Sequence, residues 1–187
     1  MIEFPANLAL TNNPATIAPD KAEAVIPIQV PATVTPGVYN LVVRASAQIP
    51  FNKDPMAKDK PAINIVQPVF PVTLTVAPAS LGTLTLSKAD PMVKVGGQGE
   101  IMVKVARLHG FAGEYKVEVV VPPAVKGLAF DPLVIPAGKD EGKLVIKAAA
   151  NAMPGNLGGL TIKATAQWTP SILTTTPAVP FSVNVAK

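Results

Sequence analysis

Alternation is the dominant pattern along this chain. Short runs place an aliphatic residue at every second position, and each run is closed by Pro, Gly or charge. In "LTIKATAQ", Leu160, Ile162, Ala164 and Ala166 fall on one side, with Thr161, Lys163, Thr165 and Gln167 on the other. That two-residue period is the pattern of a half-buried β-strand. "KLVIKAAA" sets Leu144 and Ile146 against Lys143, Val145 and Lys147, and "GEIMVKVARL" sets Ile101, Val103, Val105 and Arg107 against Glu100, Met102, Lys104 and Ala106. In "PGVYNLVVRASAQ" the same rule turns Leu41, Val43, Ala45 and Ala47 inward and Val42, Arg44, Ser46 and Gln48 outward. Small Ala at inner positions predicts the close approach of a second sheet, about 10 Å away.

From Leu81 onward the pattern yields seven strands: "LTLSK", "EIMVKVA", "YKVEVVV", "LVI", "KLVIK", "LTIKATAQ" and "FSVNVA". "VGGQG" (95–99) and "LHGFAG" (108–113) read as hairpin turns, and in "PAGKDEG" Gly138 and Gly142 permit unusual φ. Seven short strands separated by regular turn signals predict an immunoglobulin-like β-sandwich. The Cys…Trp…Cys arrangement of antibody domains is missing, which excludes only that subfamily.

Much of this pattern is written twice. Pro36–Gly37 aligns with Pro154–Gly155. At the same spacing Ile17 meets Ile135, Lys21 meets Lys139, Glu23 meets Glu141 and Ile28 meets Ile146. One inserted residue later, Leu41, Val43, Ala45 and Ala47 meet Leu160, Ile162, Ala164 and Ala166, and "PVTLTVAP" resembles "PFSVNVAK". Ordered blocks of this kind indicate duplication. The expected organisation is therefore tandem immunoglobulin-like modules in an all-β chain. Residues 79–187 form a complete seven-strand module, and residues 1–78 a partial or atypical one with only the later strands. Nothing before Leu8 corresponds to the three strands between Leu84 and Val121. Three explanations stay open. The chain is a piece of a longer array; or the early strands come from another chain or from the long insert Ile49–Phe70; or the first module is a smaller, different sandwich. Unpaired strand edges on that module would offer a route to homo-oligomers.

Composition sharpens the fold class. Pro occurs 21 times, scattered between the β-branched runs, and leaves little room for helix. Hydrophobic residues reach 49% while aromatics are 5%, so the cores are aliphatic. No apolar run approaches the roughly 20 residues of a membrane span, so no membrane insertion is expected. The net charge of +4 comes from dispersed Lys, with Arg44 and Arg107 the only arginines, which argues against a nucleic-acid surface. Cys is absent, and "MIEFPANLAL" lacks the basic start and apolar stretch of a signal peptide. Either the protein stays inside the cell or the chain is part of something longer.

Candidate chemistry is sparse. His109 is the single histidine, in a turn; no GxSxG occurs; "GGQGE" is not followed by Lys-Ser/Thr. Asp140 and Glu141, and Glu23 in the equivalent turn, lack the ligand spacing of a Ca²⁺ loop. The expectation is no enzyme, no catalytic residue, no metal site and no cofactor. The better candidates are two loops at the same place in each copy. After "ATAQ" comes "WTPSILTTTPAVP", with Trp168, Ile172 and Leu173; after "ASAQ" comes "IPFNKDPMAKDKPAINIVQPVF", with Phe51 and Lys53. Loops at the end of a sandwich commonly present binding surface. Trp168 has two readings: an exposed anchor for a partner, or a strand residue capping the core.

The run "HGFAGEYKVEVVVPPAVKGLAF…LVIPAGKDEGKLVIKAAANAMPGNLGGLTIKATAQ" resembles the immunoglobulin-like repeats of large secreted or surface proteins of planctomycete-type bacteria. The resemblance covers Leu84–Lys187 well and Asn7–Ala77 in part, and it rests on turn and core motifs. It implies an extracellular or cell-envelope location, with the early strands and leader lost by truncation, and a non-catalytic spacer or accessory role beside a protein partner or a neighbouring domain. It brings no catalytic or binding residue with it. The alternative function is a ligand-binding module, for a polysaccharide or a protein, acting through the two loops.

Overall fold

The structure, a computed structural model, describes residues 2–5, 8–69 and 71–187. Phe70, the last residue of the predicted insert, lies outside the described residues, as does Asn7, where the partial resemblance begins. The chain divides into two compact units, Met1–Val76 and Ala77–Lys187. Unit one carries β1 (Ile2–Glu3), β2 (Thr11–Asn12), β3 (Ile28–Gln29), β4 (Gly37–Pro50), β5 (Ala62–Pro68) and β6 (Val72–Val76). Unit two carries β7 (Gly82–Leu86), β8 (Met92–Lys94), β9 (Gln98–Arg107), β10 (Tyr115–Val120), β11 (Leu128–Phe130), β12 (Leu133–Ile135), β13 (Glu141–Ala148), β14 (Gly155–Thr169), β15 (Ile172–Thr175) and β16 (Val179–Ala186). Every regular element among the described residues is a strand, so the chain is all-β, and no helix is long and apolar enough to cross a membrane.

Unit two consists of two sheets. One runs β12-β10-β14-β16-β8, with β15 added beside β14; the other runs β11-β13-β9-β7. All pairs are antiparallel except β8 with β16. The alternation read from the sequence holds on each long strand. Leu160, Ile162, Ala164 and Ala166 of β14 are buried together with Leu144 and Ile146 of β13 and Ile101, Val103 and Val105 of β9. Burying each larger aliphatic side chain contributes about 1.5–3 kcal/mol. The solvent faces carry ion pairs between neighbouring strands, Lys143–Glu100 at 2.9 Å, Lys163–Glu118 at 3.4 Å and Lys147–Asp131 at 2.6 Å.

Two turn expectations need correction. "VGGQG" leads from β8 to β9 and "LHGFAG" from β9 to β10, and in both cases the flanking strands belong to opposite sheets. These segments are crossings, not hairpin turns. In "PAGKDEG", Gly138 does adopt φ 73, but Gly142 is not required for φ: a Cβ there would lie 2.8 Å from Leu133 Cδ1, so glycine serves close packing.

Unit one repeats the later part of this plan in register. Ile2 and Glu3 pair with Val43 and Val42 as Val119 and Val120 pair with Ile162 and Thr161. Thr11 and Asn12 pair with Gln29 and Ile28 as Ala129 and Phe130 pair with Lys147 and Ile146. The turn bonds recur as well: Leu8 N–H to Pro5 O (2.9 Å) matches Val125 to Pro122 (3.0 Å), and Val34 to Pro31 (3.0 Å) matches Ala152 to Ala149 (2.9 Å). The expectation that nothing before Leu8 has a counterpart is thus wrong, because β1 takes the place of the end of β10. Two residues are too short to show alternation.

The insert also differs from the loop that was expected. β4 runs on to Pro50 and pairs with β5 from Arg44↔Pro68 to Pro50↔Ala62, so the segment forms the tip and return strand of a β-ribbon. It cannot be the missing cover, because from Arg44 to Pro50 and throughout β5 every residue is exposed. Ala45 and Ala47, expected inside, are exposed too. The buried cluster of unit one holds Ile2, Leu8, Leu10, Val34, Leu41 and Val76, with Val43 packed at its margin, and it stops there.

The contrast between the copies predicts opposite responses to one substitution. Ala164→Asp puts an unpaired carboxylate into a fully buried site and should destabilise unit two by about 3 kcal/mol or more. Ala45→Asp, at the equivalent exposed site, should change stability by no more than about 0.5 kcal/mol. Denaturant unfolding measures both: Trp168 fluorescence reports unit two alone, and far-UV circular dichroism reports the whole chain.

Candidate binding groove

At one end of unit two, β14 turns into β15 through Pro170 and Ser171. The pairing shifts register there, from Gln167↔Leu173 to Thr169↔Ile172, which leaves Trp168 as the extra residue of a β-bulge. A bulge re-aims the side chain of the residue it adds. Trp168 is half-buried: one side packs against the core, and the other lines an open groove of about 460 Å³. Leu173, Gln167 and Thr169 line it from the same hairpin, and Phe111, Glu114 and Lys116 from the β9–β10 crossing and the start of β10. Gln167 Nε2 donates to Pro170 O at 3.0 Å and fixes the turn. The hydroxyls of Thr169 and Thr174 are buried without a hydrogen-bond partner, and that of Thr169 belongs to a groove residue. Glu114 and Lys116 form a loose exposed pair at 4.0 Å. The groove thus combines an indole and a phenyl ring with an acid, a base and an amide, the amide being engaged with the turn.

Arg107 holds the Phe111 wall in place. From the end of β9 it donates through Nη1 to Gly113 O (2.6 Å) and Phe111 O (3.3 Å), through Nη2 to Pro136 O (3.2 Å) and Lys139 O, and through Nε to Asp140 Oδ1 (2.8 Å). Its guanidinium lies 5.1 Å from the centre of the Tyr115 ring, on whose edge Phe111 packs at 5.4 Å. One planar cation therefore ties two sheet crossings together, a task that needs the five-donor fork of Arg. The Tyr115 hydroxyl donates to Leu81 O at 2.8 Å inside the core. Burial pushes this phenol above its ordinary 10.0; Arg107 opposes the rise and Asp140 adds to it.

The residues singled out from the sequence divide between places. Trp168 and Leu173 meet in the groove, whereas Ile172 lies on β15 half-buried and does not line it. Phe51 and Lys53 belong to unit one, at the tip of the β4–β5 ribbon. The tip is closed by Phe51 N–H to Pro61 O (3.0 Å) and ordered by Asn52, whose Nδ2 donates to Asp59 O (2.8 Å). Both side chains are exposed. Phe111, Glu114 and Lys116 were missed, although an aromatic inside the turn-like "LHGFAG" was a usable signal. His109 sits in that crossing at φ 54, a conformation histidine tolerates. Asp140 is held by Arg107, and Glu141 lies 3.7 Å from Lys104. Among the described residues no three His, Cys, Asp or Glu side chains are grouped as a metal set.

No protein-family model matches the chain, and no curated protein matches it. Among solved structures it is similar to the S-layer protein SbsC, domains 4 and 5. That similarity has 15% identity and a TM-score of 0.41, over 78% of this chain and 77% of that one. The likeness is too distant to bring fold or function with it.

Two measurements check the wall. Arg107→Lys loses most of the fork and should cost unit two about 1–3 kcal/mol, read from the midpoint of Trp168 fluorescence in denaturant. A phenol whose proton is held more tightly in the folded state contributes stability below the unfolded value, and that stability is lost as pH rises through the raised folded one. The midpoint should therefore fall above about pH 10. In Tyr115→Phe the fall should be shallower.

Proposed function

We propose that this chain is a non-catalytic structural and interaction module of an exported or cell-surface protein, a spacer or accessory part built from immunoglobulin-like units. The observation that carries the reading is the repetition of the later part of one strand plan within the chain, seen in two matching strand pairings and two matching turn bonds. Repeated sandwiches suit a protein whose task is to hold other parts at a set distance. The strand order of unit two supports the immunoglobulin-like assignment: four strands face a sheet in which β10, β14 and β16 are neighbours. The pairing of β8 with β16 suits load as well. Near the end of the chain Asn184, Val185 and Ala186 lie parallel to Met92, Val93 and Lys94, and Val95 N–H extends the ladder to Ala186 O at 2.8 Å. Parallel strands pulled from opposite ends share the force across all their bonds at once. The surface location is supported by the resemblance of the turn and core motifs.

A second reading has its own observation. Trp168, aimed by a bulge into a groove that Glu114, Lys116 and Gln167 also line, has the make-up of a ligand site: an apolar platform with a few polar groups around it. Its ligand would be a polysaccharide or a protein segment.

Glycan and protein arrays probed with the native chain and with Trp168→Ala separate the two. The spacer reading expects no ligand whose retention depends on Trp168. A ligand held by the native chain and lost by about tenfold or more in the variant would replace it with the binding reading. Hydrolase screens on the purified chain should be negative, and turnover would overturn both.

A further inference from the structure

The strands at the margins of the two sheets of unit two are short. β8, β11 and β12 have three residues each and β7 has five, so little unpaired backbone is left for another chain to join. β5 is different. It closes one side of its sheet, no described strand pairs with its outer side, and all seven of its residues are exposed. No Asp, Glu, Lys or Arg occurs from 61 to 68, nor from 45 to 52 on the strand beside it. The charged guard that usually protects an exposed edge is missing here.

Two bonds fix which way the backbone groups of β5 point. Val69 N–H donates to Val43 O at 2.8 Å and Phe51 N–H to Pro61 O at 3.0 Å, so the backbones of Pro61 and Val69 face β4. The ladder between them runs without a register shift, and an antiparallel ladder turns alternate residues to opposite sides. Ile63, Ile65 and Gln67 therefore also direct their backbone groups to β4. Those of Ala62, Asn64, Val66 and Pro68 point outward.

We propose that this edge pairs with the same edge of a second copy of the chain, about a twofold axis through Ile65. In that register the edge is its own complement. Asn64 exchanges N–H and C=O bonds with Val66 of the second copy, and Ala62 N–H donates to Pro68 O of the second copy. Pro68 has no N–H, so the ladder stops where the strand does. Ile65 meets its own counterpart, and Ile63 lies opposite Gln67, which keeps the apolar row of both ribbons on one face. A shift by one residue would oppose outward groups to inward ones, and a shift by two would leave an outward residue unused at each end.

Charge favours a second copy as the guest. The chain carries +4, so copies repel over most of their surface, and the uncharged ribbon is where they can approach without opposing like charges. The twofold also sends the tips, with Lys53, Lys58 and Lys60, to opposite ends. Pairing along one strand buries less than the roughly 1,200 Å² of a standard stable interface. The dimer is therefore weak in dilute solution and favoured where copies are held close together. It lies in unit one and is independent of the Trp168 groove and of the spacer reading.

The test is sedimentation velocity of the full chain from about 1 μM to about 1 mM, the range of tethered copies, with amide exchange resolved along the sequence. The expected result is a monomer that gives way to a dimer and to nothing larger, with exchange at Ala62, Asn64 and Val66 slowed about tenfold or more in the dimer. Asn64→Pro removes an outward donor and leaves the ladder to β4 whole. It should weaken the dimer about thirtyfold or more with unchanged circular dichroism. The chain has no cysteine, so Ile65→Cys places a single thiol on the axis, where facing Cα atoms lie about 4.5 Å apart and a disulfide can close. With oxidised glutathione this variant should give a covalent dimer, whereas Val66→Cys, offset from its counterpart along the strands, should not. A chain that stays monomeric at the highest concentration overturns the proposal, as does a dimer indifferent to Asn64→Pro. Cross-linking through Val66→Cys as readily as through Ile65→Cys, or growth beyond the dimer, overturns it too.

Discussion

A strand that alternates aliphatic with polar side chains cannot hide its aliphatic face by itself, and neither can the sheet to which it belongs. The face is removed from water only when a second layer arrives about 10 Å above it. In unit two that layer is complete, and the alanines of β14 are where it approaches closely: Ala164 is fully buried. In unit one the opposing layer is the short pair β2–β3, and cover ends near Val43. Strands of nearly the same sequence thus sit in opposite solvent environments. The difference lies in what stands across from them, not in their own residues.

The second requirement is that the chain pass repeatedly from one sheet to the other without loosening the gap between them. Unit two does this at 95–99, at 108–113 and at 136–140, and Arg107 fastens the latter two with hydrogen bonds to four carbonyls and one carboxylate. Its side chain is 15% exposed and its charge is answered by Asp140, so the fork works in a partly desolvated setting where its bonds are strongest. The surface pairs between Lys and Glu are each worth little by comparison. They leave the outer faces charged and of mixed sign, which keeps the sheets soluble.

Strand content was readable because period two is a local signal, and all seven strands read between Leu84 and Ala186 exist. What escaped was short or relational. β8 and β11 have three residues each, too few for a period to show, and neither is the unbroken aliphatic run that marked β12. β15 and β5 hide among Thr and Pro, where turn chemistry masks the pairing. Gly-rich segments such as "VGGQG" announce a change of direction, but the same residues serve whether the next strand joins its neighbour or crosses to the other sheet. That choice is made by distant pairing, which for β9 means β7 and β13. The groove was half legible on the same grounds. Trp168 and Leu173 are conspicuous in a Thr/Pro-rich stretch, whereas Phe111 and Lys116 join them only through the packing of the β9–β10 crossing against the end of β14.

The two units also treat their long strand differently. Both extend the long strand past its core and fold it back in a hairpin. In unit two the hairpin is short, turned by Pro170–Ser171, and Trp168 keeps it seated against the core. Thr176 anchors its return: the hydroxyl accepts from Ala164 N–H at 2.9 Å while its own N–H donates to Ala164 O at 2.8 Å. In unit one the hairpin is longer, has no tryptophan, and is exposed on both faces. Lengthening a surface hairpin costs little in loop closure, but keeping Ile49, Ile63 and Ile65 on its exposed face does cost solubility. That asymmetry sets the ribbon apart from both cores: its strands are held by their own ladder and not by a layer packed across them.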